Sequence, residues 1–427
     1  MIKINDIITT KIIDINNMGN GIAKYNDFVI FVPFVLLDEE VKIRIIKVNK
    51  NFAMGQVEEV LKANPNRAIP KCKYFQVCGG CDFQHANFTE EKTIKNNYLK
   101  TIFKNLNNVE LKSIITKNEF TYRNKITMFV LDYELGLYKK GTNQVVKIEN
   151  CLICESWCGK VIKITNKYLK AVRDDNIKGF VFRVLNNSLL VTVLSKSEKL
   201  KNIENYYNEL KQDFVTVGVS VSKIKDKVML NYNIKNLFGD NEIEDCCNSV
   251  KYLINNGSFM QVNNEIKYEI YNYVLTNILK DEIVIDAYSG AGLLTALISQ
   301  VALKVYGIEI VKEATILADK LAKENYITNM VNINGDCSLE LPKLIKNEKL
   351  KNFIIIFDPP RQGCDSSVIN TILEVSPNKI IYVSCNPITL NRDLKLLETK
   401  YKIDLIQPFD MFPQTANVEC VAILYKR

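Results

Sequence analysis

Cys385 and Glu419 stand out among the residues able to do covalent chemistry. Cys385 follows the apolar run Lys379-Ile380-Ile381-Tyr382-Val383 within Ser384-Cys385-Asn386-Pro387, and Glu419 follows Val418 near the C-terminal end of the sequence. A thiolate is a nucleophile toward electron-poor carbon, and a carboxylate can take a proton. The chain has one histidine, His85, which removes most Ser-His-Asp, His-metal and His-base mechanisms. Acid–base work therefore falls to carboxylates, lysines and cysteines. A lone cysteine is ordinarily an inert buried thiol, and a terminal glutamate an exposed charge. Their company sets them apart: Asp358-Pro359-Pro360-Arg361 closes the preceding strand-like run, and Met411-Phe412-Pro413-Gln414-Thr415 leads into Glu419.

A second constellation is a glycine loop. Ile283-Val284-Ile285-Asp286 runs into Ala287-Tyr288-Ser289-Gly290-Ala291-Gly292, and Glu309 ends the next strand-like run. Glycines at such a turn let the backbone approach a ligand, and an acid about twenty residues on is placed to accept ribose hydroxyls. Nicotinamide, flavin and S-adenosylmethionine enzymes share this signal. One glycine pair replaces the three glycines of a dinucleotide fingerprint, which suits a cofactor without a pyrophosphate. A third constellation is Cys72-x5-Cys78-x2-Cys81, followed by Cys151, Cys154 and Cys158. Thiolates so spaced hold tetrahedral zinc or an iron–sulfur cluster, and spacing alone does not choose between them.

These residues need scaffolds. Residues 1 to about 60 alternate apolar and polar over short runs broken by Gly19-Asn20-Gly21, which predicts a five-strand barrel. Residues 90 to 106 look helical, and 111 to 245 carry β-type runs such as Ser188-Leu189-Leu190-Val191-Thr192-Val193. From about 250, strand-like and helical runs alternate, the pattern of a mainly parallel sheet covered on both faces. The expected division is 1–62, 63–250 and 251–427. With 427 residues, 47% hydrophobic and 24% charged, the chain is long enough for several cores. Net charge is +8, which permits a polyanionic partner without naming one. No signal-peptide pattern or membrane-length apolar run is present, so a cytoplasmic protein is expected, with no membrane association and no obligate protein partner evident.

Taken together, Ser258-Phe259-Met260-Gln261-Val262-Asn263, the Asp358 motif, Ser384-Cys385-Asn386-Pro387-x-Thr389-x-x-Arg392-Asp393 and Met411-Phe412-Pro413-x-Thr415-x-x-Val418-Glu419 resemble the RNA (uracil-5-)-methyltransferase family. Gly19-x-Gly21-Ile22-Ala23 with Phe31-Val32-Pro33 resembles the TRAM domain, an OB-like RNA-binding module. The resemblance implies a class I S-adenosylmethionine methyltransferase domain of Rossmann-like α/β fold, preceded by an OB-like barrel and a central α/β domain. It implies Cys385 as nucleophile on uracil C6 and Glu419 as the base that removes the C5 proton. Asp286 and the loop after it look like the family's cofactor motif. Gln261, Tyr288, Glu309, Asp336 and Asp358 are the cofactor-binding residues so implied; Asn325 matches a further position. Many members carry His where Gln414 stands. The cysteine run with Gln84-His85 resembles the [4Fe-4S] segment of the ribosomal RNA members, which implies Cys72, Cys78, Cys81 and Cys151 as ligands, with Cys154 the rival fourth. Transfer RNA members generally lack both that segment and the TRAM domain, so the implied substrate is a flipped-out uridine of 23S ribosomal RNA. The alternatives are a transfer RNA uracil-5 methyltransferase and a non-catalytic iron–sulfur RNA-binding factor. Tyr122-Arg123-Asn124-Lys125 is similar to another family segment, and is either an RNA contact or a solvated strand edge.

Overall fold

The computed structural model describes residues 2–225, 228–230, 233–258 and 260–427; Phe259 lies outside them. At the N-terminus, β1 (Ile7–Ile15), β2 (Asn20–Tyr25), β3 (Phe28–Pro33), β4 (Glu40–Val48) and β5 (Phe52–Lys62) close into a barrel in the order β1-β2-β3-β5-β4. Period-two alternation drives the closure: Ile8, Thr10 and Ile12 are buried while Ile7, Thr9 and Lys11 face out. Ile12, Ala23, Ile30, Val32, Val41 and Ile43 fill the interior.

Helix α1 (Phe88–Phe103) starts at Asn87, whose side chain accepts from the Glu90 N–H, with Glu90 and Glu91 in the first turn. It buries Leu99 and Phe103 in the core of the C-terminal sheet, and β6 (Glu110–Leu111) becomes that sheet's edge strand. The chain then builds a sheet of its own from β7 (Lys125–Leu131), β8 (Glu134–Tyr138), β9 (Val145–Lys147), β10 (Ile177–Leu185), β11 (Ser188–Ser195), β12 (Thr216–Lys223) and β13 (Ile234–Gly239), in the order β13-β12-β11-β10-β7-β8-β9. Asn186 and Asn187, at φ 49° and 58°, make the tight β10–β11 turn that favours two left-handed residues. Helices α2 (Trp157–Val172) and α3 (Ile203–Leu210) pack on this sheet. A hairpin, β14 (Ile243–Cys247) and β15 (Val250–Ile254), and α4 (Asn264–Thr276) then pack on the C-terminal sheet.

That sheet takes β16 (Ile283–Ala287), β17 (Lys304–Glu309), β18 (Met330–Asn334), β19 (Ile354–Phe357), β20 (Lys379–Ser384), β21 (Tyr401–Phe409) and β22 (Glu419–Lys426), in the order β18-β17-β16-β19-β20-β22-β21-β6. Helices α5 (Leu293–Ser299), α6 (Lys312–Glu324), α7 (Cys337–Glu348), α8 (Ser366–Val375) and α9 (Pro387–Leu397) alternate with the strands. Apolar clusters cover both faces, which is why β19 and β20 are buried at every position. Strands β16 to β20 run parallel, and β22 inserts antiparallel between β20 and β21. Strand order reverses between β16 and β19, where an open sheet of this kind leaves a crevice beyond its carboxyl ends. Register aligns that edge: Ala287 faces Phe357, Phe357 faces Tyr382, and Ser384 faces Cys420. Residues 288, 358, 385 and 419 therefore arrive together. Among the described residues, no helix is long and apolar enough to cross a membrane.

Candidate active site

Cys385 leaves β20 half-buried at the start of α9, which is capped by Asn386 through its acceptance of the Ile388 N–H at 3.1 Å. Asn386 Nδ2 and Thr389 Oγ1 both donate to the Arg361 carbonyl, at 2.9 and 3.3 Å. Asp393 accepts from the Cys364 N–H at 3.0 Å and the Tyr382 hydroxyl at 2.6 Å. Much of the Ser384–Asp393 motif is thus a clamp on the loop after Asp358. Gly363, at φ 79°, sits so close beneath it that an added Cβ would lie 2.7 Å from both Arg392 and Asp393.

Glu419 is buried, with Gln261 Nε2 donating to its Oε2 at 3.5 Å. Burial pushes its carboxyl up to about 8, Asp358 adds to this, and the Gln261 contact and the Arg361 charge oppose it. Burial likewise pushes Asp358 up to about 7. The Cys385 thiol is raised above its ordinary value by burial, then by Glu419 and Asp358, and lowered by Arg361. These mutual influences make Cys385, Glu419, Asp358 and Arg361 one electrostatic unit. Arg361 has no role in the sequence reading beyond its place in the motif; its positive charge opposes the upward shift of both Cys385 and Glu419.

In the glycine loop, Tyr288, Gly290 and Gly292 all have positive φ, at 68°, 55° and 82°. A Cβ on Gly290 would meet nothing within 4 Å, so open space lies above it, whereas one on Gly292 would lie 2.6 Å from Ala318. Glu309 Oε2 accepts from the Gly290 N–H at 2.9 Å and Oε1 from the Val311 N–H at 2.8 Å, so this acid shapes the loop from a half-exposed position. Asp286 is buried and accepts from Thr295 Oγ1 at 2.5 Å; burial raises it to about 7. Asp336 is exposed and caps α7, accepting from the Ser338 N–H and hydroxyl. Asn325 ties α6 to β15 through the Lys251 N–H and carbonyl.

The Tyr122–Lys125 segment is not a solvated edge. Tyr122 and Asn124 are buried: the Tyr122 hydroxyl donates to the Pro413 carbonyl at 2.9 Å, and the Asn124 N–H to the Val262 carbonyl at 2.9 Å. Contact between those two side chains and RNA is thereby corrected to a supporting role. Burial, then the charges of Arg183 and Arg123, brings Lys125 down to about 7. Sequence reasoning also missed a buried triad, in which Lys95 Nζ donates to Glu91 at 2.6 Å and Asp410 at 2.8 Å. The one sequence signal was a Glu-Lys pair four apart on a helical run.

Cys72, Cys78, Cys81 and Cys151 line one recess of about 240 Å³, together with Gln84, Arg123 and Ile153. Burial raises Cys81 to about 12, and Cys151, Cys78 and Cys72 each add to that shift. Among the described residues, no three such side chains are drawn tightly enough to hold a metal ion as they stand. Cys154 lies in the core of the central sheet with Cys158 and does not line the recess. His85 is buried with Nε2 3.2 Å from the Val35 carbonyl, and burial holds it down to about 4.

The profile of the tRNA (Uracil-5-)-methyltransferase family matches residues 87–427, and that of the TRAM domain residues 3–57. The chain belongs to the uracil-5 methyltransferase family. Among its relatives, an uncharacterized RNA methyltransferase of Clostridium tetani is 32% identical over 99% of this chain and 97% of that protein. One from Fusobacterium nucleatum is 31% identical over 100% and 97%. Among solved structures, the Pyrococcus abyssi tRNA (uracil-54, C5)-methyltransferase in complex with S-adenosyl-L-homocysteine aligns with TM-score 0.80 at 23% identity, over 98% of this chain and 100% of that one. That likeness extends over the N-terminal barrel as well as the catalytic sheet.

Proposed function

We propose that this protein methylates carbon 5 of a uridine in 23S ribosomal RNA. What carries the reading is the convergence of Cys385, Glu419, Asp358 and Arg361 at one sheet edge, beside a glycine loop with open space above it. C5 of uracil is a poor nucleophile. The Cys385 thiolate adds to C6, which leaves C5 electron-rich; Arg361 favours the thiolate. S-adenosylmethionine, when bound, supplies the methyl group that C5 takes. Glu419 then removes the C5 proton, and elimination across C5–C6 releases Cys385. Burial raises Glu419 to about 8 even with the Gln261 contact and the Arg361 charge opposing the rise, so proton removal is favoured as pH approaches that value. The target base leaves its stack, since C6 is otherwise hidden from a thiol.

For the cofactor, Gln261, Tyr288, Glu309, Asp336 and Asp358 are the proposed contacts. Glu309 fits because a carboxylate with two accepted N–H bonds keeps lone pairs for hydroxyls. Cys72, Cys78, Cys81 and Cys151 would hold a [4Fe–4S] cluster. What supports this is that the four thiols share one recess with Arg123; they are not drawn together as they stand. Its role would be structural, since the reaction needs no electron transfer.

The cysteine recess supports ribosomal RNA, by the resemblance of its segment to the ribosomal RNA members. A second reading, transfer RNA, is favoured by the whole-length likeness to the Pyrococcus abyssi enzyme. Incubation with labelled S-adenosylmethionine and total RNA separates them. Label as 5-methyluridine in large-subunit RNA is the expected result; label confined to transfer RNA supports the second reading and removes the first.

A further inference from the structure

We infer that Asp82 is a positioning residue that straps the cysteine recess to the loop carrying the base Glu419. It follows Cys81, and its contacts run to the other side of the molecule's chemistry. Its N–H donates to the Gln414 carbonyl at 2.7 Å, and the Phe83 N–H to the same oxygen at 3.2 Å. Its Oδ2 accepts from the Ala416 N–H at 2.9 Å. Its Oδ1 accepts from Lys140 Nζ. Lys140 is tied to the cysteine segment in turn, because its neighbour Lys139 pairs with Cys78 and Gly79 donates to the Tyr138 carbonyl at 2.9 Å.

The loop needs such a strap. Gln414 is a non-glycine residue at φ 68°, a conformation that persists only where surroundings impose it. Here both ends of the residue are held: its N–H donates to Glu91 at 2.7 Å and its carbonyl is held by Asp82 and Phe83. Two residues on, Asp82 holds Ala416; three residues further, Glu419 begins β22. Asp82 is thus a side chain of the cysteine segment that fixes the backbone between the left-handed turn and the base. A change in the recess that moves Cys81 moves Asp82 with it, so whatever fills the recess acts on the proton-removal step through this carboxylate.

The inference rests on Glu419 as the base, and the test separates the two. Three full-length variants are compared: Glu419→Gln, Asp82→Ala and Asp82→Asn. Each is given substrate RNA and S-adenosylmethionine, and formation and decay of the covalent protein–RNA adduct are timed separately. Asp82→Ala is expected to slow decay on the order of tenfold, the worth of one lost charge-assisted hydrogen bond, with formation little changed. Asp82→Asn keeps an oxygen for the Ala416 N–H and is expected to restore much of the decay rate. Amide exchange, measured without RNA, is expected to rise at Ala416 in Asp82→Ala, and also in Cys81→Ala, where Asp82 itself is intact. Equal slowing of formation and decay, or unchanged exchange at Ala416 in either variant, overturns the strap. If Glu419→Gln itself accumulates no adduct, the reading of the base fails instead, and the exchange data still decide whether the strap exists.

Discussion

Replacing Lys95 by methionine keeps its length and removes its charge. In the native protein this ammonium lies between Glu91 and Asp410, and all three side chains are at most 1% exposed. Glu91 Oε2 and Asp410 Oδ2 already lack hydrogen-bond partners, and among the described residues Lys95 is the cation paired with both carboxylates. Removing one member of such a buried network costs about 3–5 kcal/mol, a large share of the ~5–15 kcal/mol that holds a domain folded. The pH dependence is the sharper signature. Glu91 is raised from 4.5 to about 7 by burial even with Lys95 opposing the shift; without Lys95 the folded value rises further. A carboxyl whose folded pKa lies above its unfolded value binds protons that the unfolded chain has released. Stability is then lost as pH climbs from the unfolded value toward the folded one, by ~1.4 kcal/mol per unit and group. Native Glu91 already follows this slope up to about 7, so the Lys95→Met penalty is expected to deepen above that value, by about 1.5 kcal/mol between pH ~7 and ~8.5. Urea titration read by circular dichroism measures it; the sole tryptophan, Trp157, reports only on the central sheet. A penalty below ~1 kcal/mol, or one flat across that range, would refute the reasoning.

Other outcomes follow from the same geometry. Gly292→Ala is expected to destabilise the fold more than Gly290→Ala, because only the former drives a Cβ into Ala318; Gly290→Ala should instead weaken S-adenosylmethionine binding, and calorimetry on both variants checks the division. The rate of adduct formation should keep rising through the alkaline range, since the Cys385 thiol sits above its ordinary value and must lose its proton. In Glu419→Gln that rise should shift to lower pH, because one of the charges opposing the thiolate is gone; an unshifted profile contradicts the coupling. Iron content of anaerobically purified variants should fall in Cys151→Ser and persist in Cys154→Ser, as only Cys151 lines the recess.

The barrel, the alternating C-terminal sheet and the placing of Cys385 and Glu419 at strand ends were legible because each is written in local pattern: period-two alternation, strand–helix alternation and the residues bounding apolar runs. Register did the rest, since Ser384 opposite Cys420 brings Glu419 to Cys385 from a strand that no local pattern aligns. The triad was not legible, for Lys95 and Asp410 lie 315 positions apart and lysine at a helical position reads as surface. Helix α1 and β6 join the C-terminal sheet for a related reason: a two-residue edge strand carries no pattern of its own. Asp336 reads in sequence as a ligand acid, while the geometry also uses it as a helix cap. The clamp of Asn386, Thr389 and Asp393 on the Asp358 loop explains why those motifs travel together.

The most direct measurement is the mass spectrum of denatured Glu419→Gln protein after incubation with ribosomal RNA and S-adenosylmethionine. The account predicts a peptide containing Cys385 that carries a methylated uridine fragment, and its loss in the Cys385→Ala, Glu419→Gln double variant. Methyl transfer to uridine by the single variant Cys385→Ala, or an RNA fragment attached to a different cysteine, would contradict the covalent mechanism.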